Sequence, residues 1–122
     1  MKFMLCVALL SVTGAVNAQT TNPADSLFIV TYTVGSSWDA NKQPNEQLYF
    51  KEHSAILSKL RKEGVIKAGA RFADKGMIVI TANSFTTAKK IILSDIAVVN
   101  KLFDADIQKL NVFYEGCLER PK

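Results

Sequence analysis

The chain has 122 residues, 48% of them hydrophobic, and its 15 Lys and Arg against 11 Asp and Glu give a formal charge of +4. The positive residues are scattered rather than gathered into a stripe interleaved with aromatic side chains, which gives nucleic-acid binding no support. No internal repeat or low-complexity block is present, and the length bounds the fold to one small domain.

In chain order, residues 1–18 read as a secretory signal peptide. Lys2 supplies the positive start, Phe3 to Val16 is mostly apolar, and Val16-Asn17-Ala18 closes the segment in an A-x-A-like way. The apolar stretch is shorter than the roughly 20 residues of a spanning helix; a retained anchor is the alternative. The expectation is an exported chain, periplasmic or secreted, with no membrane attachment after cleavage. Residues 19–26 are a polar, flexible lead-in, and residues 27–122 form the domain. The mature part keeps a single cysteine, Cys117, so no internal disulfide is expected despite an oxidising compartment. That thiol is expected to be semi-buried or idle, with a bridge between two chains as the alternative.

Leu27–Val34 is rich in β-branched and aromatic residues and predicts a strand. Gly35 to Asn45 reads as a loop; Trp38 within it either covers one end of the core or lines a pocket mouth. Asn45, with Pro44 just outside, is the expected N-cap of a first helix that ends at Gly64. Val65–Phe72 and Met77–Ala82 predict two strands joined by a hairpin turn at Ala73–Gly76. Ser84 is expected to cap a second helix, Thr86–Ser94. Ala97–Phe103 predicts a short third helical piece, and Ile107–Tyr114 a fourth strand.

The predicted fold is therefore α+β, in the order β-α-β-β-α-β of the ferredoxin-like split motif, with helices on one face of an antiparallel four-stranded sheet. The strand pattern makes both sheet faces apolar. Phe28, Val30, Tyr32 and Val34 point one way and Leu27 and Ile29 the other, while Ile78 and Ile80 oppose Met77 and Val79. Burying one large apolar side chain contributes about 1.5–3 kcal/mol, so a homodimer packed sheet against sheet is expected. The alternative is a monomer whose own tail, Glu115–Lys122, covers the second face.

His53 is the sole histidine of the chain. It falls with Tyr49, Ile56, Leu57 and Leu60 on one face of the first helix. An inward-facing imidazole needs a polar partner.

The run Phe28-Ile-Val-Thr-Tyr-Thr-Val-Gly-Ser-Ser-Trp38, then Glu46-Gln-Leu-Tyr-Phe-Lys-Glu-His53, Gly64, Ala68-Gly-Ala-Arg-Phe72, Gly76-Met77 and Ser94-Asp95-Ile-Ala-Val98 resembles the YCII-related family of dimeric α/β-barrel proteins. The similarity covers nearly all of Leu27–Phe113. The resemblance implies a catalytic pair made of a histidine on the first helix, here His53, and an aspartate opening the segment after the second helix, here Asp95. Two departures stand out. Asp95-Ile96 replaces a frequent Asp-Pro, and Ala68-Gly69-Ala70-Arg71-Phe72 replaces a frequent Gly-Gly-Pro-Phe, which introduces Arg71 as a new cation.

A carboxylate on one ring nitrogen fixes an imidazole's tautomer and leaves the other nitrogen to take or give a proton near neutral pH. The sequence holds no Gly-x-Ser-x-Gly elbow, no donor set suited to zinc and no Gly-rich phosphate loop. No metal and no cofactor are expected. The implied activity is cofactor-free acid–base chemistry of lyase or isomerase type on a small cyclic or aromatic compound, with Tyr32, Trp38, Tyr49, Arg71 and Phe72 as candidate pocket residues. Two alternatives remain open: a non-catalytic module that binds a small molecule, and a dimeric structural protein without a pocket. In either, His53 and Asp95 would merely satisfy one another.

Overall fold

The computed structural model describes residues 25–122 and Gly14. The expected signal peptide, but for Gly14, and the lead-in, but for Asp25 and Ser26, lie outside the described residues. The elements run β1 (Ser26–Val34), a 3-10 turn (Pro44–Glu46), α1 (Phe50–Lys62), β2 (Ile66–Phe72), β3 (Lys75–Ala82), α2 (Phe85–Leu93), α3 (Ile96–Val99) and β4 (Phe103–Leu110). The strands form one open four-stranded sheet in the order β2-β3-β1-β4, every neighbouring pair antiparallel. This α+β arrangement, with three α-helices, is compatible with a ferredoxin-like fold. No helix among the described residues is long and apolar enough to cross a membrane.

The period-2 pattern of β1 and β3 divides the sheet into two faces. Phe28, Val30, Tyr32, Ile78, Ile80 and Ala82 are buried and meet Ala88 and Ile92 of α2, Val98 of α3 and Leu57 of α1. Val30 and Ile80 are 0% exposed, and each contributes about 1.5–3 kcal/mol by leaving water. On the opposite face Leu27, Ile29, Met77 and Val79 remain half-buried, with no element of the described chain packed over them.

Several boundaries differ from the sequence expectation: α2 spans Phe85–Leu93 rather than Thr86–Ser94, the third helical piece is Ile96–Val99 rather than Ala97–Phe103, and β4 ends at Leu110 rather than Tyr114. Ser26 belongs to β1, paired with Ala82, rather than to the lead-in. The first helix starts at Phe50, not after Asn45. Asn45 lies in the 3-10 turn, and the buried Gln47 side chain turns away to hold the preceding loop: its Oε1 accepts the Asp39 N–H at 3.0 Å and its Nε2 donates to the carbonyls of Asp39 and Lys42 at 2.6 and 3.1 Å. Tyr49 then takes a left-handed conformation (φ 70°) that breaks helical continuity. The hairpin is tighter than expected, since Phe72 pairs with Lys75 and leaves only Ala73-Asp74 as the turn. β4 begins at Phe103 instead of Ile107, because Phe103, Ala105 and Ile107 pack on the core while Asp104 and Asp106 alternate outward. Beyond Leu110 the chain leaves the sheet, and Phe113 and Tyr114 are exposed.

Some expected ends do match. Gly64 takes the left-handed conformation (φ 78°) after α1, the role a residue without Cβ fills best. The Ser84 hydroxyl accepts the Thr87 N–H at 3.1 Å at the start of α2.

Candidate functional site

His53 projects from the first turn of α1 toward the sheet and is 7% exposed. Its ring stands edge-on to Tyr32 of β1, with centroids 5.3 Å apart, and lies 4.8 Å from the ring of Phe103. Phe103 gathers the remaining aromatics: Trp38 at 5.8 Å, Tyr32 at 6.2 Å and Phe50 at 6.4 Å between ring centroids. This cluster joins the loop after β1, the start of α1 and the start of β4.

Asp95 arrives from the end of α2, 42 positions away in sequence, and is 2% exposed. The two carboxylate oxygens have separate tasks. Oδ2 accepts a hydrogen bond from His53 Nδ1. Oδ1 accepts the Ala97 N–H at 2.9 Å and so caps α3. An ionised carboxylate only accepts, and a buried charge of this kind persists when it is fully hydrogen-bonded. Nδ1 therefore carries hydrogen, and in the neutral ring the lone pair resides on Nε2.

Nε2 has no hydrogen-bond partner among the described residues, and neither does the Tyr32 hydroxyl. Among the described residues no side-chain nitrogen or oxygen is both fully enclosed and unpartnered. Both atoms therefore open onto space. That space is a cleft of about 570 Å³ beside His53, floored by Tyr32, Gly76 and Ile78 and walled by Trp38, Phe50, Leu57 and Phe103. Arg71, Asp74 and Lys75 stand at its edge on the β2–β3 hairpin. The Tyr32 phenol is held well above its ordinary pKa, first by burial and then by the negative charge of Asp95. It thus keeps its O–H as a donor.

Of the residues singled out in sequence, His53, Tyr32, Trp38 and Arg71 line the cleft, and Asp95 stands behind His53. Tyr49 and Phe72, expected as lining, do not belong to it. Tyr49 serves as the left-handed residue preceding α1. Phe72 is turned away by a bulge in β2: Ile66 pairs with Ile80 and Ala68 with Val79, so Lys67 is an extra residue and the strand changes face after it. Phe72 then shares the helix-free face with Lys75, while Arg71 shares the helix-bearing face with Gly76. Phe50 and Phe103 are the residues sequence reasoning missed. The i to i+3 spacing of Phe50 to His53 carried a signal for the first; the alternation Phe103-Asp-Ala-Asp-Ile107 carried one for the second. Among the described residues, no three His, Cys, Asp or Glu side chains come together in a way that could hold a metal ion.

No family model matches this chain, and no curated protein matches it.

Proposed function

We propose that this protein is a cofactor-free acid–base enzyme of lyase or isomerase type, acting on a small cyclic or aromatic compound in the His53 cleft. His53 is the general base and Asp95 its positioning residue. One observation carries the reading: Nδ1 is committed to a buried carboxylate while Nε2 is unpartnered beside an open cleft. A histidine that served only to satisfy Asp95 would require neither the open nitrogen nor the space beside it.

In an isomerisation, Nε2 takes a proton from a carbon made acidic by a neighbouring carbonyl. The C–H electron pair moves onto the carbonyl oxygen as an enolate, and in a substrate whose C=C double bond extends that conjugation the imidazolium returns the proton at the far carbon of the double bond. In an elimination the same electron pair forms a C=C bond as the bond to a leaving group on the next carbon breaks, and the imidazolium gives its proton to the departing group. Neither route changes the net oxidation level. The neutral Tyr32 hydroxyl supplies a hydrogen bond for the oxygen where negative charge develops. The aromatic walls suit a planar ring.

The strand order and the open sheet are compatible with the dimeric α/β-barrel architecture of the YCII-related family. We read the protein as an exported relative of that group, pairing through the sheet face that carries Leu27, Ile29, Met77 and Val79.

Deuterium uptake from heavy water into small cyclic ketones, lactones and phenols, followed by NMR, reads proton abstraction directly. Exchange catalysed by the wild-type protein is expected to fall about a hundredfold or more in His53→Gln, with the melting temperature little changed. Equal exchange by the two proteins overturns the reading.

A further inference from the structure

Arg71 and Tyr32 lie on one cross-strand row. Tyr32 of β1 pairs with Gly76 of β3, and Gly76 pairs with Arg71 of β2. Directly paired residues project from the same sheet face, so Arg71 shares the face of Tyr32 and therefore of His53. The residue between them has no side chain. A Cβ built on Gly76 would meet nothing within 4 Å, which leaves open floor between the tyrosine and the arginine. The two strand spacings separating Arg71 from Tyr32 amount to about 10 Å, a span that a single substituted ring bridges.

Arg71 has no ion-pair partner among the described residues. The cleft edge holds two cations, Arg71 and Lys75, against one carboxylate, Asp74. Of the cations, Arg71 is the one on the His53 side of the sheet, because Lys75 pairs with Phe72 on the helix-free face. A guanidinium presents parallel N–H donors that match a carboxylate in a two-point contact. We propose that Arg71 is the anion-recognising residue of this cleft and that the ligand is a small planar cyclic acid, its ring against Phe103 and Trp38 and its carboxylate on Arg71. The inference rests on the reading of the His53 cleft as a binding site and adds the chemical class of its occupant.

The chain carries one histidine and one tryptophan, and both line the cleft. The His53 imidazole NMR signals and the Trp38 fluorescence are therefore unambiguous reporters in protein without a histidine tag. The probes are benzoate and its neutral counterpart benzamide, titrated into wild-type protein, Arg71→Gln and Gly76→Val. Benzoate is expected to shift both reporters and to bind about tenfold or more tighter than benzamide. Arg71→Gln is expected to abolish that preference, and Gly76→Val, which fills the floor, to weaken both compounds. Equal binding of benzoate and benzamide to the wild type, or a preference that survives in Arg71→Gln, overturns the role of Arg71 while the cleft remains a small-molecule site. If neither compound moves the His53 signals, the anion site and the binding reading of the cleft both fall.

Discussion

The carboxylate of Asp95 holds His53 with one oxygen and the first turn of α3 with the other. One buried charge thereby fixes a helix–helix junction and the tautomer of the imidazole. Asp95→Asn separates the two roles. Asparagine caps a helix about as well as aspartate, so α3 is expected to persist. Its amide would donate to Nδ1 where the carboxylate accepted from it, which moves the ring hydrogen to Nε2 and removes the basic lone pair from the cleft. The imidazole ¹⁵N NMR spectrum of the single histidine is expected to show the two nitrogens exchanging protonation roles. Asp95→Ala instead leaves a buried ring nitrogen unpartnered and α3 uncapped, and should cost about 2–4 kcal/mol in urea unfolding. An unchanged ¹⁵N pattern in Asp95→Asn would show that Asp95 does not set the tautomer.

Tyr32 gives the fold an alkaline liability. Burial and the Asp95 charge raise its pKa above the ordinary tyrosine value. Below about pH 10, the unfolded value, folded and unfolded chains both hold the phenolic proton and the residue adds no pH dependence. Above it, the unfolded chain releases the proton that the folded chain keeps, and stability falls as pH rises. The slope for one proton approaches about 1.4 kcal/mol per pH unit. Urea unfolding of wild-type protein and Tyr32→Phe, compared from about pH 9 to about pH 11, should show the wild type losing stability faster. Parallel curves would contradict it.

Gly35 packs directly against the turn that leads into β4. A Cβ there would lie 2.1 Å from the Lys101 carbonyl oxygen, and the Gly35 N–H donates to the Leu102 carbonyl at 2.8 Å. The Ser37 N–H bonds the Lys101 carbonyl at 2.9 Å, so the loop bearing Trp38 is clamped to the chain just before Phe103. Gly35→Ala must push backbone from backbone. The expected loss is about 1–3 kcal/mol or more, with a red shift of Trp38 fluorescence as the loop lifts from Phe103. Unaltered stability and emission would show the clamp to be dispensable.

How far the sequence discloses this molecule depends on the kind of signal each residue sends. Local periodicity in Leu27–Val34 and in the His53 face predicts a strand and a helix at the right places, because burial imposes those periods. Gly64 and Ser84 mark helix ends through their own conformational and hydrogen-bonding chemistry. The Lys67 bulge leaves no such mark. It depends on how β2 registers against β3, a non-local choice, and it alone decides that Arg71 and not Phe72 enters the cleft. The contact between His53 and Asp95 is equally non-local; no spacing rule joins residues 42 positions apart. β4 begins earlier than the sequence predicts, and on its outward face the charges of Asp104 and Asp106 are solvated.

The helix-free face carries the last prediction. Ile29 and Val79 are directly paired on the central strands, Leu27 and Met77 lie in neighbouring rows, and all are only half-buried in the single chain. At about 25 cal/mol per Å² of apolar surface removed from water, a second copy laid across this face would recover energy that one chain leaves unused, and the symmetric arrangement closes without exposing a new face. Sedimentation velocity of a protein comprising residues 25–122 is expected to give twice the mass of one chain. Val79→Lys, which puts a charge at the centre of the face, is expected to give a single-chain mass while its circular dichroism stays that of the folded domain. A wild-type protein that sediments as one chain at every concentration would leave the face without the partner argued for it.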